Sequence, residues 1–389
     1  MSARSVLKKA AMKLMTFKDP LFSCSTQKQR EYLARMPEPR SLIQRSWLQY
    51  RCQMMLYGNT TKVFLNILSL PSMLVLMLCP CAKSKMNVSD NYLSMHVGTS
   101  RAVFLREGKD KKVLPESLLT EFNVLDGDDG VGGLLLKEDK RFIRRLLKEH
   151  PFSWHYIFKI QLKIAQYRCL VETYNPTALI CCSEYSFASS AATQWCHLNQ
   201  LQHINVMHGD KLFYIRDSFF SFDRCYVWSK EYIKLFHSLR AEQKQFVVEI
   251  PPALSFKTGG AFPEKDFTYY LGSESGERLE KINHALSVLV SRGHIVTVRP
   301  HPRYSNKEEI QAIFLKSIAI EDPQKTTIEE SLNNTRVSVS LYSTSLLQAY
   351  FNGIEACIDD FSDPERYEAL IERDYILARL SPLRLSHYI

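Results

Sequence analysis

The chain has 389 residues, of which 45% are hydrophobic and 23% charged, and it carries a formal net charge of +9 at neutral pH. That length accommodates two domains with separate cores, and the composition is ordinary for a globular protein and does not indicate disorder. The positive balance suits anionic partners, whether a nucleotide, a membrane surface or a nucleic acid, and does not choose among them.

Residues 1–18 are basic and are not followed promptly by the apolar core and small-residue cleavage site of a secretory signal, so the expected location is cytoplasmic. The ten cysteines form no CxxC pair and have no histidine at ligand spacing, and Cys169, Cys181, Cys182 and Cys357 lie in apolar runs. They read as small buried hydrophobes in a reducing compartment, not as a disulfide framework or a zinc site. Residues 63–82 are the most apolar window and have about the length of a membrane span, but Asn66, Ser69, Pro71 and Pro80 interrupt them and Lys62, Lys83 and Lys85 flank them. An interfacial helix pair with cationic flanks, touching the membrane peripherally, fits better than a span; a buried core helix is the alternative. The sequons at Asn59, Asn87 and Asn333 carry no weight in such a chain. Residues 1–90 are thus expected to form a basic, apolar, helical arm.

An α/β pattern follows over residues 91–255, the expected first domain. Short strands are expected at 92–97, 102–105 and 122–125, the last running into the acidic, glycine-rich loop 126–133. Helical periodicity covers 137–147 and 154–174. Residues 178–182 read as a buried strand, 187–199 as a helix and 203–207 as a second strand. Two parallel strands ending side by side would place Glu184 and His208 on one edge facing a cleft; each could equally be a helix cap or a turn residue. A strand at 225–228, a helix at 230–239 and a strand at 246–250 lead to a Pro- and Gly-bearing linker at 251–263.

The second domain, residues 264–389, is more regular. A strand at 267–271 ends in Gly272 and Ser273, and a helix covers 277–292. The strand Val296-Thr297-Val298 runs into Arg299-Pro300-His301-Pro302-Arg303, an imidazole between two prolines and two arginines. A helix at 307–316, a strand at 318–322 and a helix at 328–333 precede a strand from 337 that ends in Ser343-Thr344-Ser345 and opens another helix, stopped at Gly353. A last strand spans 355–360. Strands alternating with helices at this spacing predict a parallel, doubly wound sheet.

There is no Walker motif, GxGxxG, GxSxG or HExxH, which argues against a P-loop NTPase, a standard dinucleotide fold, a serine hydrolase elbow or a zinc protease. The residues suit group transfer from a nucleotide-activated donor in a cleft between domains. Charge building on the leaving phosphate needs fixed donors, which His301, the hydroxyls of Ser343, Thr344 and Ser345 and the amides at that helix start could supply, with Arg299 or Arg303 adding charge. The acceptor hydroxyl needs a base, for which Asp128, Asp129, Glu184 and His208 are the options. No DxD stands where a metal would be required, so metal-independent chemistry without a cofactor is expected. The spread of the positive charge and the lack of a groove-reading motif speak against a nucleic-acid partner.

Together, His301-Pro302 after a C-terminal strand, the Ser343-Thr344-Ser345 segment and Asp128-Asp129-Gly130 upstream resemble the motifs of bacterial GT-B glycosyltransferases that use CMP-sugars, the sialyltransferases and Kdo transferases. The resemblance runs from about residue 92 onward. It implies two Rossmann-like domains with a cleft between them. It also implies inverting, metal-independent transfer of a sugar, such as sialic acid or a related ulosonic acid, from CMP to a glycan or glycolipid of a cell-surface polysaccharide, lipopolysaccharide or capsule. The HP histidine would bind the CMP phosphate and Asp129 would be the base. Val206-Met207-His208-Gly209-Asp210 is similar to the His-Gly element of CDP-glycerol glycerophosphotransferases, where that histidine is the proposed base. Transfer of an alditol phosphate from a CDP-linked donor is therefore the alternative activity, and a non-catalytic glycan- or nucleotide-binding assembly protein is the third reading.

Overall fold

The computed structural model describes residues 24–79, 100–106, 108–127, 135–256, 262–314, 317–380 and 383–389. Six strands form the first sheet: β1 (Ser100–Leu105), β2 (Phe122–Gly127), β3 (Ala178–Cys181), β4 (Gln202–Val206), β5 (Arg224–Val227) and β6 (Phe246–Val248), in the order β2-β1-β3-β4-β5-β6. Six more form the second: β7 (Lys265–Tyr270), β8 (Val296–Arg299), β9 (Ala319–Ile320), β10 (Thr335–Ser340), β11 (Glu355–Ile358) and β12 (Leu383–Arg384), in the order β12-β11-β10-β7-β8-β9. Every neighbouring pair in both sheets is parallel. Two such sheets, each wound by helices, are the two Rossmann-like domains of the GT-B architecture. The strand expected at 92–97 lies outside the described residues.

The central strands are largely buried because both faces are covered. β3 is buried at all four positions and so is β8. In β8, Val296 and Val298 point into the core of the second domain. The edge strands β9 and β12 are only two residues long, which leaves little unpaired edge.

The helices cap as their sequences dictate. Thr327 and Glu330 form a reciprocal capping box at the start of Ile328–Asn333. Ser343 caps α12 (Thr344–Phe351), accepting from the Ser345 amide at 3.1 Å. Gly353, with φ of 73°, ends that helix in the left-handed conformation expected of a C′ glycine.

Two segments pack differently from their place in the sequence. Helices α1 (Thr26–Ala34) and α2 (Leu42–Met55) of the basic N-terminal stretch are built into the first domain. Leu33, Leu48, Tyr50 and Cys52 are buried in its core. Ser46 donates to the Phe187 carbonyl at 2.7 Å, and the Gln49 amide donates to the carbonyls of Glu184 and Arg216 at 2.9 and 3.0 Å. Beyond β11 no element is expected from the sequence, yet the chain forms Pro364–Glu372 and Ile376–Leu380 before β12. These helices cross to the first domain, where Tyr367, Leu370, Tyr375, Ile376 and Leu377 join the same core. Phe213 and Arg373 bond reciprocally, the Phe213 amide to the Arg373 carbonyl at 2.6 Å and the Arg373 guanidinium to the Phe213 carbonyl at 3.1 Å.

Candidate active site

Numbered from its own first strand, the second sheet has the order in which strands one and four lie side by side and the winding reverses between them. Those strands are β7 and β10, and open α/β sheets bind ligands in the crevice beyond the carboxyl ends at such a reversal. β7 ends in Gly272 and Ser273, β10 in Ser343 to Ser345, and β8, beside β7, in His301. Ser305 ties two of these ends together, its hydroxyl accepting from the His301 amide at 2.7 Å and donating to the Gly272 carbonyl at 2.9 Å.

The His301 ring is held on both sides. The Arg303 backbone amide donates to Nδ1 at 3.0 Å, and the Tyr304 ring stacks at a centroid distance of 4.5 Å. An amide can only donate, so Nδ1 must accept and a neutral ring carries its proton on Nε2. Burial and the Arg303 charge hold the imidazole below its ordinary value, against the pull of Glu274. A half-buried imidazole presenting an Nε2–H is suited to donate to an anionic oxygen. Glu274 accepts from the Gly272 amide and pairs with Arg278 at 3.4 Å.

Arg299, two residues before His301 in sequence, is committed elsewhere. Its side chain is buried, paired with Glu321 and donating to the Thr326 carbonyl at 2.8 Å. Pro302 and Arg303 are exposed on the turn.

In the first domain, β3 and β4 are neighbours, so Glu184 and His208 come together just past their ends. His208 Nδ1 lies 3.9 Å from a Glu184 carboxylate oxygen, and the Lys211 ammonium pairs with that oxygen directly. Asn205 donates to the other oxygen at 3.2 Å. Burial alone would raise the fully buried Glu184 carboxyl, but Lys211 and then His208 outweigh it and hold it at about 2. Burial, supported by the charges of Lys211, Lys109 and Arg216, pushes His208 down to about 4, against the pull of Glu184. At neutral pH Glu184 is therefore an ion-paired carboxylate and His208 a neutral imidazole. Asp129 lies outside the described residues.

Three tyrosines gather between the two strand-end regions. Asp210 accepts from its neighbour's amide at 2.8 Å and from the Tyr232 hydroxyl at 2.6 Å. Tyr375, from the helices that cross over, packs edge-on against Tyr342 at 5.4 Å, and Tyr342 directly precedes Ser343. Burial raises Asp210 to about 6 despite the Tyr232 bond. Tyr232, Tyr375 and Tyr342 thus cluster between the His208-Gly209-Asp210 turn and the Ser343 turn.

The structure accordingly brings together Gly272, Ser273, His301, Ser343, Thr344 and Ser345 at one crevice, and Glu184 with His208 at another strand end linked to it. Sequence reasoning missed Ser305, Tyr304 and Glu274. Ser305, four residues beyond His301, is the type of residue that caps a turn amide and could have been found on that basis.

No protein-family model matches the chain, and no curated protein matches it. Solved structures with similar overall folds include a UDP-N-acetylglucosamine 2-epimerase from Rickettsia bellii (10% identity, 67% of this chain and 79% of that one, TM-score 0.41). The calicheamicin glycosyltransferase CalG4 is similar at 11% identity over 74% of this chain and 86% of its own, with a TM-score of 0.42. The glycotransferase of kitacinnamycin is similar at 9% identity over 71% and 84%, with a TM-score of 0.44.

Proposed function

We propose that the chain is a glycosyltransferase that moves a sugar from a CMP-activated donor to a glycan or glycolipid acceptor. The observation that carries this reading is the convergence of Gly272, His301 and the Ser343 turn on the strand reversal between β7 and β10, with Ser305 bonded to the first two. The donor phosphate would accept from His301 Nε2–H, from the hydroxyls of Thr344 and Ser345 and from the amides that open the helix. These groups are fixed before the substrate arrives, so stabilising the departing nucleotide requires little rearrangement.

Across the cleft, His208 is the best base among the described candidates. It is neutral at pH 7, partly accessible, and has Glu184 beside Nδ1, which leaves Nε2 as the nitrogen to take the acceptor hydroxyl's proton. Glu184 itself is committed to Lys211 and is a poor base at about 2. The acceptor oxygen would then attack the anomeric carbon as the bond to the phosphate oxygen breaks, releasing CMP.

The same His208-Gly209-Asp210 turn supports a second reading, transfer of an alditol phosphate from a CDP-linked donor. Product analysis separates the two. Sugar transfer releases CMP and leaves the acceptor free of new phosphorus, whereas alditol phosphate transfer also releases CMP but adds phosphorus to the acceptor. Thermal-shift screening of cytidine nucleotides tests the site itself. Wild type should be stabilised and His301→Ala should lose most of that stabilisation while folding normally; no stabilisation of wild type by any cytidine nucleotide overturns the donor assignment.

A further inference from the structure

Helix α3 (Asn59–Leu78) is long and apolar enough to cross a membrane by composition, yet it is fastened along one side to α6 (Trp154–Tyr174). Asn66 donates to the Phe152 carbonyl at 2.7 Å and accepts from the His155 amide at 3.0 Å, so it caps the start of α6. Gln161 donates to the Met73 carbonyl at 3.4 Å, and Ser69 and Met73 are buried. The register, Asn66 at residues 152 and 155 and Met73 at residue 161, means that α3 lies alongside α6 for its length.

The opposite side of α3 is covered by nothing among the described residues. Val63, Phe64, Ile67, Leu68, Val75 and Leu78 recur at helical spacing and are 58% to 82% exposed. Phe152, on the turn that Asn66 caps, is 79% exposed. A continuous apolar stripe of this kind marks a contact surface.

Charge beside the stripe identifies the occupant. Helix α5 (Lys137–Glu149) buries Phe142, Ile143 and Leu146 and exposes Arg141, Arg144, Arg145 and Lys148. Lys140 donates to the Cys79 carbonyl at the end of α3, which puts the 140 edge of α5 against that helix. Arg144 and Lys148 follow one and two turns along the same edge. Exposed cations therefore stand near the Cys79 end of the stripe, and an apolar face with cations close by is the pairing that attracts a helix to an anionic lipid surface and holds it in the interfacial plane.

We propose that α3, with Phe152, lies in the plane of an anionic bilayer surface, its apolar side chains entering the acyl boundary and the exposed cations of α5 meeting lipid phosphates. A span is disfavoured because crossing would break the Asn66 and Gln161 bonds and expose Ser69 and Met73. The proposal does not depend on the reaction catalysed.

Co-sedimentation of the full chain with vesicles of pure phosphatidylcholine or of phosphatidylcholine with phosphatidylglycerol tests it, with light scattering and carbonate extraction in parallel. Wild type should bind the phosphatidylglycerol vesicles and not the neutral ones, and high salt should weaken the binding. The double variants Phe64→Glu/Leu68→Glu and Arg144→Glu/Lys148→Glu should each lose at least about tenfold in binding while keeping the wild-type thermal transition. All the substituted positions are exposed, so folding is not at stake. Equal binding by the Phe64→Glu/Leu68→Glu variant overturns the proposal, as does failure of wild type to bind anionic vesicles. Self-association abolished by that variant would make the face an interface between copies, and resistance to carbonate would make α3 a span; either result also overturns it.

Discussion

The two strand-end regions solve opposite electrostatic problems. At the ends of β3 and β4, a carboxylate and an ammonium pair directly, with an imidazole 3.9 Å from the carboxylate, Glu184 being fully buried and Lys211 nearly so. At the ends of β7, β8 and β10, positions are fixed by neutral hydrogen bonds through Ser305 and the Ser343 cap, and the groups that could donate to an anion remain half-exposed. A region that has neutralised its own charges has less left to offer a charged ligand than one whose donors still point outward. The second region is thus the better nucleotide site, and the first is where a proton can be handled in a shielded setting.

The largest expected effect tests that contrast. Glu184→Gln would leave the Lys211 ammonium buried without its partner and should reduce the unfolding free energy at pH 7 by about 3–5 kcal/mol in urea titrations. The double variant Glu184→Gln/Lys211→Met, which removes both charges, should recover most of the loss. If the single variant instead unfolds like wild type while turnover disappears, the pair serves chemistry and not stability, and the contrast between the regions fails.

A smaller effect probes the second region. Ser305→Ala removes a donor to the Gly272 carbonyl and an acceptor from the His301 amide, so both turns lose the bond that sets their spacing. Global stability should fall by about 1 kcal/mol, the usual net worth of such bonds. The KM for donor should rise more, about tenfold, because small displacements of positioned groups are costly. A change in stability alone, with donor KM unaltered, would mean that Ser305 supports the fold without placing His301 for a ligand.

How much of this was legible in the sequence follows from how local each feature is. His301 and Ser343 to Ser345 stand directly after β-branched strands and before turn or capping residues, so short windows reveal both the strand and its end. Arg299 stands in the same window, and strand alternation alone would put positions 299 and 301 on one face, yet its guanidinium is taken up by Glu321 and the Thr326 carbonyl, partners that no short window reveals. The Glu184 and His208 pairing was legible only as a consequence of parallel neighbours, and the part of Lys211 in it was not, since nothing in the chain says which ammonium will be buried. Tyr232, Tyr342 and Tyr375 come from three separate elements and meet through tertiary packing alone. The N-terminal helices read as an arm because their buried positions include Ser46, Gln49 and Gln29, polar residues that become core by bonding to loop carbonyls and amides of the first domain.

The smallest expected effect lies in the acid limb of the pH profile, and it separates the two titrating members of the first region. If His208 Nε2 takes the acceptor's proton, turnover requires the neutral ring, and with His208 lowered to about 4 the rate should stay level as pH falls from 7 and drop only below about 4. Above about pH 4.5 Glu184 leaves folding unchanged, so the level part of the profile is free of its influence, and the limb below about 4 is read alongside a folding measurement at each pH. The Glu184 carboxyl is depressed to about 2 from an ordinary 4.5, so the stability it contributes is complete above 4.5 and is lost progressively as pH falls from there through about 2. Asp210 behaves in the opposite sense. Its value is raised to about 6 from 3.8, so the fold holds that proton more tightly than the unfolded chain and stability decreases as pH rises from about 4 to about 6. A limb near 6 that disappears in Asp210→Asn would therefore assign the controlling ionisation to the turn that joins the two regions, whereas a limb near 4 that survives Asp210→Asn would assign it to His208.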